Sequence, residues 1–533
     1  MQKRSGRFTK IYEKPTTVLQ EMNKTLKQII KNMFSNWLAV LAQASIAFIL
    51  VPFLITQLGR EGYGLVGLLG VILGLTQIAD LGLRGALGRE LSEQVALKDT
   101  RHFNELMTTA LVLYVCIAGG FALVGWVFAP WFVEIFKVSA RLQPDAIFLI
   151  RLYGTGAVLF SFIAPVFDAA LTSHNRFDVA NSVRIFCGIF SGICMFIVLP
   201  MVSNPLVGWV AVMLLNHLLS ALLSFLLVRR YCEGICVHFR YFQPRRLFPL
   251  FRLGGYIYAL QLTDVLSSQS DPLVISYFFG PAGVALYQPG QRLSGMMRPI
   301  VTTIGNQLYP LTTKQHVNQE VLKMQQLLVI GTKYTLLLGV LATVGVVACA
   351  DSLCRLWLFD SLGEDYRTVA LIVRGWAVAD FLLYAAGTQW SVLLGMKKLK
   401  FLVWTQLPTA VLNLLVSIYL VGFTDLGIPG VLIATILIGA LRRPLLIAHT
   451  ARACGVKTID YLKQAYFRPL LLLCLLSGFA FGYQHFIPLE SWRLFIGFCG
   501  AVSLAWSVLL LCIGMNRTER DLLWNEGRKC LGA

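Results

Sequence analysis

Residues 253–309 read LGGYIYALQLTDVLSSQSDPLVISYFFGPAGVALYQPGQRLSGMMRPIVTTIGNQLY. The stretch predicts two membrane-spanning helices joined by the break Gly280-Pro281-Ala282-Gly283, yet both carry groups that lipid does not accept. On the first helix Gln261, Asp264, Ser268 and Asp271 fall three, four and three residues apart, which is one face of a 3.6-residue helix. Gln288, Arg292, Gly295, Arg298, Thr302 and Asn306 repeat that spacing on the second. A charge at mid-bilayer costs roughly 2.5–3.5 kcal/mol on insertion scales, so an acidic face beside a basic face predicts a water-filled interior that handles a substrate. Ion pairs that merely lock two helices are the plainer reading of the same residues. Pro272, Pro289 and Pro299, with Gly280, Gly290 and Gly295, supply kinks that serve as hinges or as packing devices.

The rest of the chain is apolar to match. Of its 533 residues 56% are hydrophobic and only 14% charged, and mean hydropathy is +0.68, which excludes an ordinary soluble protein. Runs of about 20 to 28 apolar residues recur along nearly the whole length, as crossings of about 30 Å of hydrocarbon require. The expected fold is an all-α integral membrane protein with about 14 transmembrane helices. A basic, amphipathic N-terminal segment (1–33) leads into six crossings (34–229). A linker (230–252) joins these to six more (253–449), and a second linker (450–465) leads to two additional crossings (466–515) and a tail (516–533). The longest connection expected on the outer side is the 17-residue segment from Asp351 to Arg367.

The net charge of +19 does not indicate nucleic acid, because the basic residues gather in alternate loops, the mark of membrane topology. Arg84, Arg89, Lys98 and Arg101 lie in one such loop, Arg229, Arg230, Arg240, Arg245, Arg246 and Arg252 in another, and Arg442, Arg443, Arg452, Lys457 and Lys463 are counted with a third. Connections on the opposite side are neutral or acidic, as with Asp351, Asp360, Glu364 and Asp365, so both termini are expected in the cytoplasm. The twelve cysteines are dispersed through apolar runs and read as packing residues, not as metal ligands.

An internal repeat is visible. Pro52 to Gly59 followed by Tyr63-Gly64-Leu65 parallels Pro272 to Gly280 followed by Val284-Ala285-Leu286-Tyr287, at an offset of about 220 residues. Two parallel six-helix units follow, with a central site between them, and the last two crossings stand outside the repeat. Other polar residues have duller readings beside functional ones. Arg374 faces the same side as Asp380, Tyr384 and Thr388, and either touches substrate or snorkels to the surface. Thr76, Asp80 and Arg84 are spaced i, i+4, i+8 at a helix end, which suits local stabilisation or an inner gate. His217 beside Asn216 suits a proton relay or a satisfied buried histidine.

With Asn36-Trp37 opening the first crossing, Pro52 to Gly64 across the first hairpin, Ala79-Asp80-Leu81-Gly82-Leu83 closing the second, and Leu286-Tyr287 to Arg292 in the eighth, the chain resembles the polysaccharide transporter branch of the multidrug/oligosaccharidyl-lipid/polysaccharide exporter superfamily. These are the Wzx-like oligosaccharide flippases. The resemblance spans nearly the whole chain, although each motif alone is degenerate. It implies a V-shaped, two-lobed transporter in the bacterial inner membrane, not an enzyme. By alternating access such a protein moves a polyprenyl-diphosphate-linked glycan outward for O-antigen, capsule or exopolysaccharide assembly. A polysaccharide polymerase and chain-length proteins are the partner proteins it suggests, alongside membrane lipids, and nucleic acid is not one. On that reading Arg292, Arg298 and then Arg374 are the candidates for the diphosphate, because a guanidinium forks onto phosphate oxygens. Gln261, Gln288, Tyr287 and Tyr384 are candidates for the sugars. Asp264, Asp271, Asp80, Arg84 and Asp380 are candidates for coupling or gating, with a proton or sodium ion as the coupling species if there is one and no other cofactor. A cation-coupled multidrug exporter is the nearest rival, weakened by the lack of an acid within 34–58, and a membrane-embedded polysaccharide polymerase or ligase is the next.

Overall fold

A computed structural model describes residues 15–80, 83–232, 234–517 and 519–521, without the side chains of 15–37, 39, 77, 79, 246–257 and 306. Its described residues form helices and no strand. Ten stretches are long and apolar enough to cross a bilayer. Two of these, Val40–Thr76 and Val321–Gly395, contain two crossings each, and residues 247–317 add a pair too polar to qualify, which gives fourteen crossings among the described residues. The pair that escapes the apolar criterion is the one quoted above.

The repeat is written into the backbone. The helix Pro15–Ala79 is broken at Gly59 (φ 69°, ψ 171°) and the helix Leu247–Gly295 at Gly280 (φ 69°, ψ −175°). An L side chain is strained at such a φ, so glycine permits one crossing to end and the next to begin without a loop. Residues 15–58 and 60–79 are thus the first two crossings, and 247–279 and 281–295 are the seventh and the start of the eighth. Between them come Thr100–Ile135, Gln143–Ser173, Phe177–Met201 and Pro205–Tyr231, preceded by a surface helix, Leu83–Leu97, where the sequence suggested a loop. The second half continues with Arg298–Val317, Val321–Leu362, Tyr366–Ala385 with Gly387–Gly395, Leu399–Gly422 and Pro429–Ala453. The expected outer segment from Asp351 to Arg367 is helical up to Leu362, since no residue from Asp351 to Leu362 breaks a helix. The amphipathic face expected in the N-terminal segment rests on side chains outside the described residues.

Two lobes meet at one end and part at the other. Near Gly59 and Gly280 the cores are shared: Leu54, Tyr63, Val133 and Leu149 of the first lobe pack in one cluster with Leu293, Trp357, Leu358 and Tyr366 of the second. Away from that end each lobe has its own core, with Leu87, Leu91, Phe103, Phe162 and Leu171 in the first and Leu260, Leu393, Leu402 and Leu446 in the second. Polar ties between lobes also gather at the closed end. Arg60 pairs with Asp365 and donates to the Leu362 carbonyl at 2.7 Å, and the Trp357 indole donates to the Phe48 carbonyl at 2.7 Å. Gln288 Nε2 donates to the Gly67 carbonyl at 3.2 Å. Glycine allows this closeness: a Cβ on Gly64 would lie 1.7 Å from the Pro281 carbonyl oxygen. Small residues let helices associate where lipid removes the hydrophobic drive between them.

The surface helix Leu83–Leu97 of the first lobe also touches the helix Leu247–Gly295 of the second. The linker that precedes it is tied to the third crossing: Asn104 Nδ2 donates to the Gly234 carbonyl, Asn104 Oδ1 accepts from the Cys236 amide, and the Gln243 amide donates to Thr109 Oγ1, each within 3.1 Å. The two additional crossings, Phe467–Phe486 and Trp492–Leu509, pack on the ninth through Leu472, Leu476, Phe498 and Val502.

Candidate functional site

The eighth crossing is not one rod. Its helix stops at Gly295 and restarts at Arg298, with Pro299 in the first turn, where a missing amide costs no hydrogen bond. This break turns the polar stripe. Gln288 and Arg292, before the break, face the first lobe: Arg292 Nη2 donates to Gln288 Oε1 at 3.2 Å, one turn beyond the Gln288–Gly67 junction, and Arg292 is exposed where the lobes part. Arg298 and Thr302, after it, line a cavity of about 560 Å³ whose lining residues all belong to the second lobe.

The cavity wall is built from the seventh to twelfth crossings. Asp264 and Ser268 come from the seventh, Asp380 and Tyr384 from the tenth, Gln406 and Asn413 from the eleventh, and Arg442 and Arg443 from the twelfth. The tenth crossing is itself interrupted at Ala386, beside the cavity. The Ala385 carbonyl at that interruption accepts from the Tyr466 hydroxyl at 2.6 Å, and Gln389 Nε2 donates to the same hydroxyl at 2.7 Å. Residues just ahead of the two additional crossings therefore hold one wall of the cavity in shape.

Its charges are arranged in two sets. Arg298 donates to Asp380 Oδ1 through Nε at 3.0 Å and Nη2 at 2.6 Å, and its guanidinium carbon lies 5.6 Å from the Trp376 ring centre. That adds a cation–π contact to a charge-assisted bond. Asp264 accepts from Gln406 Nε2 at 2.7 Å, and Gln406 Oε1 accepts from Arg442 Nη2 at 3.2 Å, so an amide bridges carboxylate and guanidinium. The Nε atoms of Arg442 and Arg443, Asn413 Oδ1 and Thr435 Oγ1 are buried without a protein partner among the described residues.

Of the residues singled out in the sequence, the structure brings Asp264, Ser268, Arg298, Thr302, Asp380 and Tyr384 into this one cavity. It does not bring the others. Asp271 is fully buried behind it, accepting from the Tyr287 hydroxyl at 2.7 Å, and Tyr287 is buried as well. Gln261 is half-buried on the seventh crossing and does not line the cavity. Arg374 reaches Asp351 Oδ2 at 2.6 Å, away from the cavity. Asp80 and Arg84 form a pair within the first lobe, where Asp80 also accepts from the Tyr114 hydroxyl and Arg84 donates to the Ser161 carbonyl at 3.3 Å. The single cavity expected between an Asp face and an Arg face is thus replaced by two regions: Arg292, before the break, lies outside the cavity, and Arg298, after it, lines the cavity.

Arg442 and Arg443 are the correction in the other direction. Counted with loop cations in the sequence, they lie in the middle of the helix Pro429–Ala453. Their depth, 13 residues past Pro429, was the available signal, outweighed by the rule that arginines mark inner loops.

The family described as "Polysaccharide biosynthesis protein" matches residues 29–316, more than half of the chain. The chain belongs to that family. Among curated relatives, a "Putative O-antigen transporter" of Shigella flexneri is 26% identical over 309 residues, 56% of this chain and 71% of the relative. One of Salmonella typhi with the same description is 24% identical over 339 residues, 58% of this chain and 71% of the relative. Among solved structures, the lipid II flippase MurJ in an inward closed conformation superposes with a TM-score of 0.69 at 14% identity, covering 93% of this chain and all of that one. An inward-facing multidrug resistance MATE family transporter gives 0.67 at 14% identity, covering 79% of this family member and 94% of that chain. At such identities the likeness is one of fold: a multi-pass helical membrane protein of the transporter architecture these structures share.

Proposed function

We propose that the protein is a flippase that carries a polyprenyl-diphosphate-linked oligosaccharide across the bacterial inner membrane by alternating access, for assembly of O-antigen or a related surface polysaccharide. The observation that carries this reading is the placement of four arginines at depths lipid forbids: Arg292 where the lobes part, and Arg298, Arg442 and Arg443 around a cavity in one lobe. Two of them, Arg298 and Arg442, are tied to carboxylates, while Arg292 and Arg443 are paired with none among the described residues. A diphosphate headgroup that must pass hydrocarbon needs them.

The basic residues Arg89, Arg101, Arg229, Arg230 and Arg240 lie at the open end, while Asp351, Asp360, Glu364 and Asp365 lie at the closed end, which supports an open end facing the cytoplasm and closed end facing outward. In this state the headgroup enters between the lobes from the cytoplasmic side and meets Arg292. Rupture of the Arg60–Asp365 and Gln288–Gly67 ties, with closure of the opposite end, then delivers it outward while the polyprenyl tail stays in lipid. The residues between 34 and 58 include no acid to take up a coupling ion, which weighs against a cation-driven drug exporter.

The test is reconstitution in liposomes with a short polyprenyl-diphosphate oligosaccharide, scoring glycan that reaches the far leaflet. Wild type should move it, and Arg292→Ala, an exposed position whose loss spares the fold, should slow movement at least tenfold. Absence of glycan movement together with efflux of an organic cation would point to the exporter instead.

A further inference from the structure

We propose that the cavity inside the second lobe is a binding site for a single oxyanion, distinct from the passage between the lobes. Charge counting leads there. Three guanidinium groups, Arg298, Arg442 and Arg443, face two carboxylates, Asp264 and Asp380, so the lining has one positive charge in excess. Arg298 is matched by Asp380 directly. Arg442 is matched by Asp264 through the Gln406 amide. Among the described residues Arg443 is paired with no carboxylate, although it lines the same cavity as Asp264 and Asp380.

Hydrogen bonding points the same way. The Nε–H groups of Arg442 and Arg443 are buried donors without acceptors among the described residues. A buried donor without an acceptor is disfavoured, and a native structure keeps one where something else completes it. Two adjacent guanidinium groups offer forked donors that fit the paired oxygens of a carboxylate or phosphate. Asn413 Oδ1 and Thr435 Oγ1, equally unpartnered, add an acceptor and a hydroxyl for a ligand that also carries hydroxyl groups, and Trp390 and Tyr384 supply aromatic wall. At about 560 Å³ the cavity falls within the ~300–1,000 Å³ typical of small-molecule pockets.

The inference rests on the flippase reading for its ligand: the oxyanion is either the carboxylate of an acidic sugar in the glycan or a phosphate of the lipid carrier. The excess of one positive charge matches one negative charge on the ligand.

The full-length protein in lipid nanodiscs is titrated calorimetrically with glucuronate, inorganic phosphate and, as the neutral control, glucose. Glucuronate or phosphate should bind and glucose should not; glucuronate alone assigns the site to a sugar acid, phosphate alone to the carrier. Arg443→Gln should weaken binding at least tenfold, Arg443→Lys should retain part of it, and Arg101→Ala, an exposed position of the first lobe outside both regions, should leave it unchanged. Should Arg443→Gln fail to fold, Arg442→Gln and Arg443→Lys carry the same comparison. Binding of neither anion by wild type overturns the site, as does binding abolished by Arg292→Ala and untouched in the Arg443 variants. Protein that flips glycan but binds neither anion removes this inference and leaves the flippase standing, whereas anion binding without flipping removes the flippase reading and leaves the site.

Discussion

Each lobe contains an arginine–aspartate pair of the same exposure, and the two pairs keep different company. In the first lobe Arg84 and Asp80 have side chains 40% and 4% exposed, and in the second Arg298 and Asp380 have the same two values. Asp80 also accepts from the buried Tyr114 hydroxyl, and the Leu83–Leu91 core closes round it, so the carboxylate is served from within. Among the described residues Asp380 has beyond Arg298 only the Ser294 hydroxyl at 3.5 Å, and both Arg298 and Asp380 front a cavity. One architecture, used twice, thus gives one carboxylate a buried tyrosine partner beside a packed core and sets the other on the wall of a cavity. Fold and site are separable even within a single chain.

The sharpest way to break this comparison is at the end the lobes share. Gly64→Ala places a methyl against the Pro281 carbonyl, where backbone must move, while its counterpart in the second repeat, Ala285, already carries a Cβ and is fully buried. Gly64→Ala should abolish at least nine-tenths of transport. It should also depress disulfide trapping between Arg60→Cys and Asp365→Cys, whereas Ala285→Gly should cost only about 1 kcal/mol, as glycine does within a helix. Equal trapping in Gly64→Ala and wild type would show that the closed end is not set by backbone contact.

The two ion pairs come next. Removing one partner of a buried pair costs about 3–5 kcal/mol, less where the remaining charge finds other partners. Arg298→Ala is therefore expected to cost about 2–4 kcal/mol and Arg84→Ala about 1 kcal/mol less, read from urea or thermal unfolding in detergent. Equal losses would mean that the Tyr114 bond does not distinguish the pairs. The smallest effect belongs to the exposed Arg60–Asp365 tie, whose side chains are 48% and 40% exposed. A double-mutant cycle should give under about 1 kcal/mol, shrinking as salt rises.

The sequence made the crossings legible because apolar runs of that length have no other use, and it made the repeat legible because Gly59 and Gly280 each sit where two helices join. The site was legible in part. A helical stripe assumes an unbroken helix, so the spacing that united Arg292 with Arg298 could not register the interruption at Met296 and Met297, and Asp271 was placed on a cavity from which Tyr287 screens it. Arg442 and Arg443 were hidden for the opposite reason: a topology rule explained them before their depth was weighed. Arg374 illustrates the ambiguity of long side chains, since one helical position suits either a cavity or the Asp351 carboxylate toward the membrane edge.

The linker between the lobes is also a leash. Its last anchored residue on the first lobe is Gln243, whose amide is held by Thr109 Oγ1, and the helix of the second lobe begins at Leu247. Four residue steps, at most about 3.6 Å each, separate them, so that corner of the second lobe cannot swing more than about 14 Å from its mooring while the bond lasts. The opening between the lobes thus has a maximum gape at that corner, set by chain length. Lengthening the segment after Gln243 by a few glycines would raise that maximum without touching a single residue of the site.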